Sequence, residues 1–153
     1  MILQPNILPR SPASPAEWEA YFDLRWRILR QPWGQPRGSE RDSLDESAFH
    51  LPITGDDGRA LACGRLQLNS PSEAQIRYMA VDENVQGRGY GSAILAALEA
   101  ETRRSKASHI VLNAGIMPLS STAGMDMRLL VRPRLSSERF GMSEWLKRFL
   151  NYL

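Results

Sequence analysis

The spacing of apolar residues alternates between a helical and an extended period along the 153 residues, and each switch marks an element. In "SPAEWEAYFDLRWRILRQP", Trp18, Tyr21, Phe22, Leu24, Trp26, Ile28 and Leu29 recur mostly at helical spacing. Ser14 stands where a cap is wanted, Pro15 at the first helical position and Glu17 three residues after the cap, while Pro32 ends the run. A short strand is expected ahead of this helix, at Ile7 and Leu8. The stretch from Trp33 to Ser47 is polar and punctuated by Gly and Pro, which predicts a loop with room for one short helix.

Extended segments follow. Ala48 to Thr54 and Ala60 to Asn69 flank "GDDG", a hairpin turn over Gly55 to Gly58. Pro52 cannot donate to a ladder, so its strand is expected at an edge or with a bulge. Glu73 to Val81 reads as a third strand. A helix follows from about Gly89 to Ser105, with Ile94, Leu95 and Leu98 on one face. His109 to Ala114 is a further strand, β-branched at its centre. The order β-α-(α)-β-β-β-α-β predicts an α/β domain, a mixed sheet with helices packed on it.

Composition narrows the classes little: 42% hydrophobic, 24% charged, net charge +2. No run approaches the roughly 18 apolar residues of a membrane span. The opening "MILQPNILPRSPASP" has neither a basic flank nor an unbroken apolar core, so no signal peptide is expected. One cysteine, Cys63 among apolar neighbours, reads as a buried core thiol and fits a reducing cytoplasm. Residues 1–114 hold 13 Lys+Arg against 14 Asp+Glu, and residues 115–153 hold 6 against 3. The basic character belongs to the end of the chain, which argues against nucleic acid as a partner of the whole domain. No Cys/His/Asp/Glu cluster has metal-ligand spacing, so no metal is expected. His50 and His109 read as structural strand residues, with His50 also open to an acid or base role.

The chemistry-bearing stretch is "YMAVDENVQGRGYGSAILAALEAE". Glycine allows backbone to turn with positive φ and to approach an anion closely, and a helix N-terminus offers unpaired N–H groups. "QGRGYGS" puts both at a strand-to-helix junction, with Arg88 as a fixed cation, which suits a pyrophosphate. The dinucleotide fingerprint fails because Ser92 stands where its third glycine belongs, and a P-loop fails for want of Gly-Lys-Ser/Thr. Gln86-Gly87-Arg88-Gly89-Tyr90-Gly91, preceded by "MAVDENV", resembles motif A of the GNAT superfamily of N-acetyltransferases, Q/R-x-x-G-x-G/A. With the element order upstream, the resemblance covers residues 1–114.

The resemblance implies a GNAT-like mixed sheet with flanking helices. It implies acetyl-CoA as cosubstrate, its pyrophosphate on Gln86, Gly87, Arg88, Gly89, Tyr90, Gly91 and Ser92. The pantetheine arm is then expected beside Met79 and Val81, in a cleft between that strand and "HIVLNA", with Asn113 matching a frequent family asparagine. The reaction implied is attack of an amine on the thioester, a carboxylate accepting the proton and a tyrosine of the following helix protonating the thiolate. Glu73, Asp82 and Glu83 are the candidates for the base. The acceptor, a small-molecule or peptide amine, is left open, as is the oligomeric state. The Trp33–Ser47 loop is where family members often line the acceptor site.

After Ala114 the family's usual Arg-x-x-Ala-x-x-Phe-Tyr-x-x-x-Gly-Tyr/Phe is absent, so the C-terminal part of the fold is expected to be altered or missing. The 39 residues from 115 to 153 contain one Val, one Ile and one Thr, poor strand material, while Arg, Leu and Ser make up 17 of them. Joining the last base of each codon to the first two of the next forces Ala at Met117-Pro118 and Gly at Met125-Asp126. That spacing of eight codons is the one the family has. Shifted junctions at 114-115, 116-117, 120-121 and 121-122 allow Arg, Asn, Phe and Tyr. The reading adopted is a one-base frameshift just after Ala114; the alternative is a selected tail. "MSEWLKRFLNYL" supports the alternative, since Met142, Trp145, Leu146, Phe149, Leu150 and Leu153 form an amphipathic face. The organisation expected is a body at 1–114 and an atypical basic tail at 115–153, with an amphipathic helix candidate at 140–153. Beside an active N-acetyltransferase stand two alternatives: an impaired remnant that binds acyl-CoA without turnover or misfolds, and an interaction module using the tail. An unshielded strand edge at His109–Asn113 is expected if the tail supplies no strand.

Overall fold

A computed structural model describes residues 8–116 and 125–131. Helix α1 spans Pro15–Leu29. Its cap is Ser14, whose hydroxyl accepts from the Glu17 N–H at 3.2 Å, and Glu17 in turn accepts from the Ala13 N–H at 2.7 Å. Satisfying the orphan donors of the first turn this way fixes where the helix begins. Arg30 leaves helical geometry ahead of Pro32, and a single 3₁₀ turn, Gln31–Trp33, closes on Gly34. No further helix forms between Gly34 and Ser47, where the chain makes successive turns.

Strands β1 (Phe49–Thr54), β2 (Ala60–Ser70), β3 (Glu73–Val81), β4 (His109–Ile116) and β5 (Met125–Val131) form one sheet in chain order, with α2 (Tyr90–Arg104) between β3 and β4. All neighbours are antiparallel except β3 and β4, which are parallel. β1 is an edge with an irregularity at Ile53/Thr54, as Pro52 predicts. The strand expected at Ile7 and Leu8 is only partly accounted for. Ile7 lies outside the described residues and Leu8 is not extended in a ladder, although the Arg10 N–H donates to the Pro52 carbonyl at 3.1 Å.

Two layers of apolar contact hold the helices to the sheet. On one face Leu51, Ile53, Ala62, Leu66, Ile76, Met79 and Val81 meet Tyr90, Ile94, Leu95 and Leu98 of α2. On the other, Tyr21 and Leu24 of α1 meet Ala60, Cys63 and Ala80. Cys63 is buried as expected, and burial pushes its thiol up to about 12, which makes it inert. α2 lies so close to β2 that a Cβ on Gly64 would stand 2.7 Å from Leu98 Cδ1 and 2.8 Å from Ile94 Cγ2. Only glycine admits that approach.

β4 runs through Ala114 to Ile116. The edge at His109–Asn113 is not open, because β5 pairs with β4 from Ile110↔Val131 to Ile116↔Met125. Backbone hydrogen bonding, which is indifferent to the scarcity of β-branched side chains, suffices for that strand. The helix candidate at 140–153 lies outside the described residues. Among the described residues no helix is long and apolar enough to cross a membrane, and no group of His, Cys, Asp and Glu could hold a metal.

Candidate active site

β3 and β4 are paired only at their beginnings, from Glu73↔His109 to Ile76↔Leu112. Beyond Leu112, β4 continues with β5 as its partner, while Arg77 to Val81 continue with β2 alone. The sheet therefore splits, with Arg77 on one side of the mouth and Asn113 on the other. The cause lies in β3. Arg65 pairs with Arg77 and Cys63 with Ala80, so two residues of β2 advance against three of β3. The extra residue is accommodated at Tyr78, which takes φ 54, an uncommon conformation for a bulky side chain. A bulge turns the strand and frees its edge. Met79 and Val81 send their side chains into the core against α2, so what they offer the split is backbone.

At the far end of the split stands the glycine loop. The Gln86 side chain donates to the Val81 carbonyl at 3.3 Å and ties the loop to the strand. Gly87 and Gly89 have φ of 75 and 88, and a Cβ on either would meet nothing within 4 Å. Conformation requires glycine at both, and the space in front of them is open. Gly89 caps α2 without a side chain, and the first intrahelical bond runs from Ala93 N–H to the Gly89 carbonyl. The N–H groups of Tyr90, Gly91 and Ser92 thus have no carbonyl within the helix, and the helix dipole adds partial positive charge there. Arg88 and Ser92 are exposed beside them, and Tyr90 and Gly91 are buried. A pyrophosphate fits this set of donors.

The three carboxylates proposed as base are not brought together. Glu73 opens β3, four residues before Arg77, and accepts from Asn69 Nδ2 at 3.0 Å. Asp82 is buried just past the end of β3. It pairs with Arg27 at 3.1 Å and Arg59 at 3.7 Å, and accepts from the Asn84 N–H at 2.9 Å. Burial alone would raise its pKa, but the Asn84 N–H and the Arg27 guanidinium hold it below the ordinary value. A carboxylate so stabilised is a weak base. Glu83 is exposed on the following turn.

The face of the sheet that carries α1 holds a polar cluster that sequence reasoning did not find. Arg25 and Arg65 are fully buried there. Arg65 contacts Asp42 Oδ1 at 2.6 Å and Asp45 Oδ1 at 2.7 Å, and Arg25 reaches Asp45 at 3.0 Å and the Glu40 carbonyl. The Tyr78 hydroxyl donates to Asp42 Oδ2 at 3.1 Å. These bonds anchor the loop after α1 against the bulge.

His50 belongs to the same cluster as a structural residue. Its Nε2 lies 2.7 Å from the Asp45 carbonyl, which can only accept, so Nε2 carries the proton. Nδ1 then accepts from the Tyr21 hydroxyl at 2.7 Å, and Tyr21 accepts from Arg25 at 3.3 Å. Both ring nitrogens are engaged, which leaves no position for acid or base chemistry. The only advance signal for this cluster was the placement of the Trp33–Ser47 loop at the acceptor side.

The description "Acetyltransferase (GNAT) family" matches residues 18–119 of the chain. Solved structures agree with the fold. An acyl-CoA N-acyltransferase from Pseudomonas aeruginosa is 24% identical with TM-score 0.59, covering 72% of this chain and 79% of its own. A Mycobacterium tuberculosis protein solved in complex with CoA is 20% identical with TM-score 0.53, covering 69% and 63%. Glucosamine-6-phosphate N-acetyltransferase from Arabidopsis thaliana is 13% identical with TM-score 0.53, covering 77% and 95%. With well over half of its residues matched, this chain belongs to the GNAT family of acetyltransferases.

Proposed function

We propose that the protein transfers an acetyl group from acetyl-CoA to a primary amine. The observation that carries this reading is the split between β3 and β4, continuous with the glycine loop at the N-terminus of α2. Acetyl-CoA is the cosubstrate. Backbone N–H groups from Gln86 to Ser92, with Arg88, hold its pyrophosphate, and the free edge of β3 at Met79 and Val81, facing Asn113, holds the arm that leads to the thioester. Beyond Ile76 the edge of β3 that faces β4 has no ladder partner there, so its backbone N–H groups are available to polarise the thioester carbonyl.

The base remains among Glu73, Asp82 and Glu83. Glu73 shares the α1 face of β3 with Arg77 but lies roughly 13 Å along the strand, so it acts through water. Asp82 is committed to Arg27, and Glu83 is exposed beside the loop. The acceptor is a small molecule or peptide. The Arabidopsis neighbour is named for a sugar-phosphate amine, which makes small-molecule amines the first to try. A cytoplasmic location goes with the single buried cysteine.

One observation favours a second reading, binding without turnover: after β4 no tyrosine occurs before Tyr152, so the family's acid has no evident counterpart. Calorimetry with acetyl-CoA, followed by thiol release with pooled amines, tests both. Binding with release supports the transferase, and binding without release supports the remnant. No binding sinks both.

A further inference from the structure

Four guanidinium carbons surround the Tyr78 ring, Arg25 at 3.7 Å, Arg65 at 4.7 Å, Arg77 at 5.3 Å and Arg30 at 5.5 Å from its centroid. Only two carboxylates serve them among the described residues. Asp42 and Asp45 neutralise Arg65 and Arg25, which are buried. Glu40 is buried nearby, but its carboxylate accepts from the Gly38 N–H at 2.7 Å and pairs with Arg41 at 3.7 Å. Arg30 donates to the carbonyls of Ser39 and Leu29. Arg77 is left. Its nearest described carboxylate is Asp42 Oδ2 at 4.0 Å, already shared with Arg65 and Tyr78, and its side chain is 37% exposed.

Arg77 is the first residue of β3 beyond its last pair with β4, so its backbone forms the mouth of the split. Its contacts with Asp42 and Tyr78 put its side chain on the α1 face. It also stands directly opposite Arg65 across the β2–β3 ladder. Like charges at opposite ladder positions disfavour the sheet, and one shared carboxylate only partly offsets this. An anion from outside would remove the repulsion and give Arg77 the bidentate partner its fork suits.

We infer that the acceptor amine carries an anionic group, a carboxylate or a phosphate, that docks on Arg77 at the mouth of the split. This inference rests on the acetyltransferase reading, because the split is where that reading puts the reacting thioester. Anchoring the anion on the α1 face leaves the amine of a small acceptor within reach of the split.

The test uses the full chain with CoA present and four probes in matched pairs: alanine with alaninamide, and phosphoethanolamine with ethanolamine. Ligand-observed NMR gives dissociation constants for the wild type, Arg77→Gln and Arg77→Lys. The anionic member of at least one pair is expected to bind about tenfold tighter or better, and which pair responds separates carboxylate from phosphate. That preference is expected to vanish in Arg77→Gln and to survive in part in Arg77→Lys, with Tm unchanged or raised in Arg77→Gln. Equal binding within both pairs, binding of none of the four, or a preference that persists in Arg77→Gln overturns the inference. So does a fall in Tm in Arg77→Gln without a change in preference, which would assign Arg77 to holding the sheet. CoA binding, measured separately, reports on the acetyltransferase reading and not on Arg77.

Discussion

The Tyr78 hydroxyl donates to Asp42 Oδ2 at 3.1 Å, and this bond joins the bulge of β3 to the loop after α1 across 36 residues of chain. The Asp42 carboxylate also holds Arg65 through both of its oxygens. The residue that opens the sheet and the loop that borders the opening are thus fastened at one carboxylate.

Removing that carboxylate has a calculable consequence. Its pKa is lowered to about 2 from 3.8, chiefly by the Arg65 hydrogen bond and against the effect of burial. A depressed folded pKa means that stability is fully present above 3.8 and is lost as pH falls through about 2. Asp42→Asn is expected to cost about 2 kcal/mol at neutral pH, less than a fully buried pair because Asp42 keeps 27% exposure. Urea unfolding at neutral pH and near pH 3 checks this. The variant is expected to lose less stability on acidification than the wild type, by the Asp42 share alone, since Asp45 and Asp82 are also held below the ordinary value.

His50 titrates in the opposite chemical sense with the same direction of stability. Burial, the largest influence, holds its pKa below 6.5 in the folded chain. The unfolded chain takes up the proton first, so stability is complete above 6.5 and declines as pH falls toward the folded value. His50→Phe is expected to abolish that component while leaving the Tyr21 hydroxyl without an acceptor for its proton and the Asp45 carbonyl without its His50 donor, at about 1–3 kcal/mol. A stability profile of His50→Phe that matches the wild type between pH 5 and 7 (about the His range) would contradict this.

Glycines at two places are expected to fail differently. Gly64→Ala forces a methyl against Ile94 and Leu98 and is expected to destabilise by about 1–3 kcal/mol, with acetyl-CoA affinity per folded molecule unchanged. Gly89→Ala meets open space but must hold φ 88, at about 1–2 kcal/mol of local strain. Its effect is expected on acetyl-CoA affinity. Calorimetry beside thermal melts separates the two.

The coding sequence itself supplies a further check. Read one base out of frame after the codon for Ala114, it is expected to spell Ala at Met117-Pro118, Gly at Met125-Asp126, and Phe-Tyr across Ser120 to Thr122. Resequencing the codons from Asn113 to Met127 decides it. A shifted frame without Phe-Tyr would leave the tail as selected structure, consistent with the pairing of β5 on β4.

Elements that depend on neighbours in the chain were legible in advance. Ser14, Glu17 and Pro32 bracket α1, the strand read at Glu73–Val81 matches β3 at its observed limits, and the glycines announce the turn into α2. The expected strand at Ile7–Leu8 and the open edge at β4 were less secure, because strand identity rests on a partner the local sequence does not name. The Arg25–Arg65–Asp42–Asp45 cluster left no pattern in the sequence. Its members read singly as a helix charge, a strand charge and loop acids.

Local sequence therefore determined the helices, the strands up to β4 and a phosphate-fitting loop, since caps, periodicity and glycine conformation act within a few residues. Tertiary structure alone decided where the sheet splits. The four residues of β3 from Arg77 to Ala80 set against the three of β2 from Cys63 to Arg65 are a property of register, and register is set by which buried side chains meet across strands. The same register sets Arg77 opposite Arg65 at the mouth of the split, a juxtaposition of like charges that no reading of either strand alone contains.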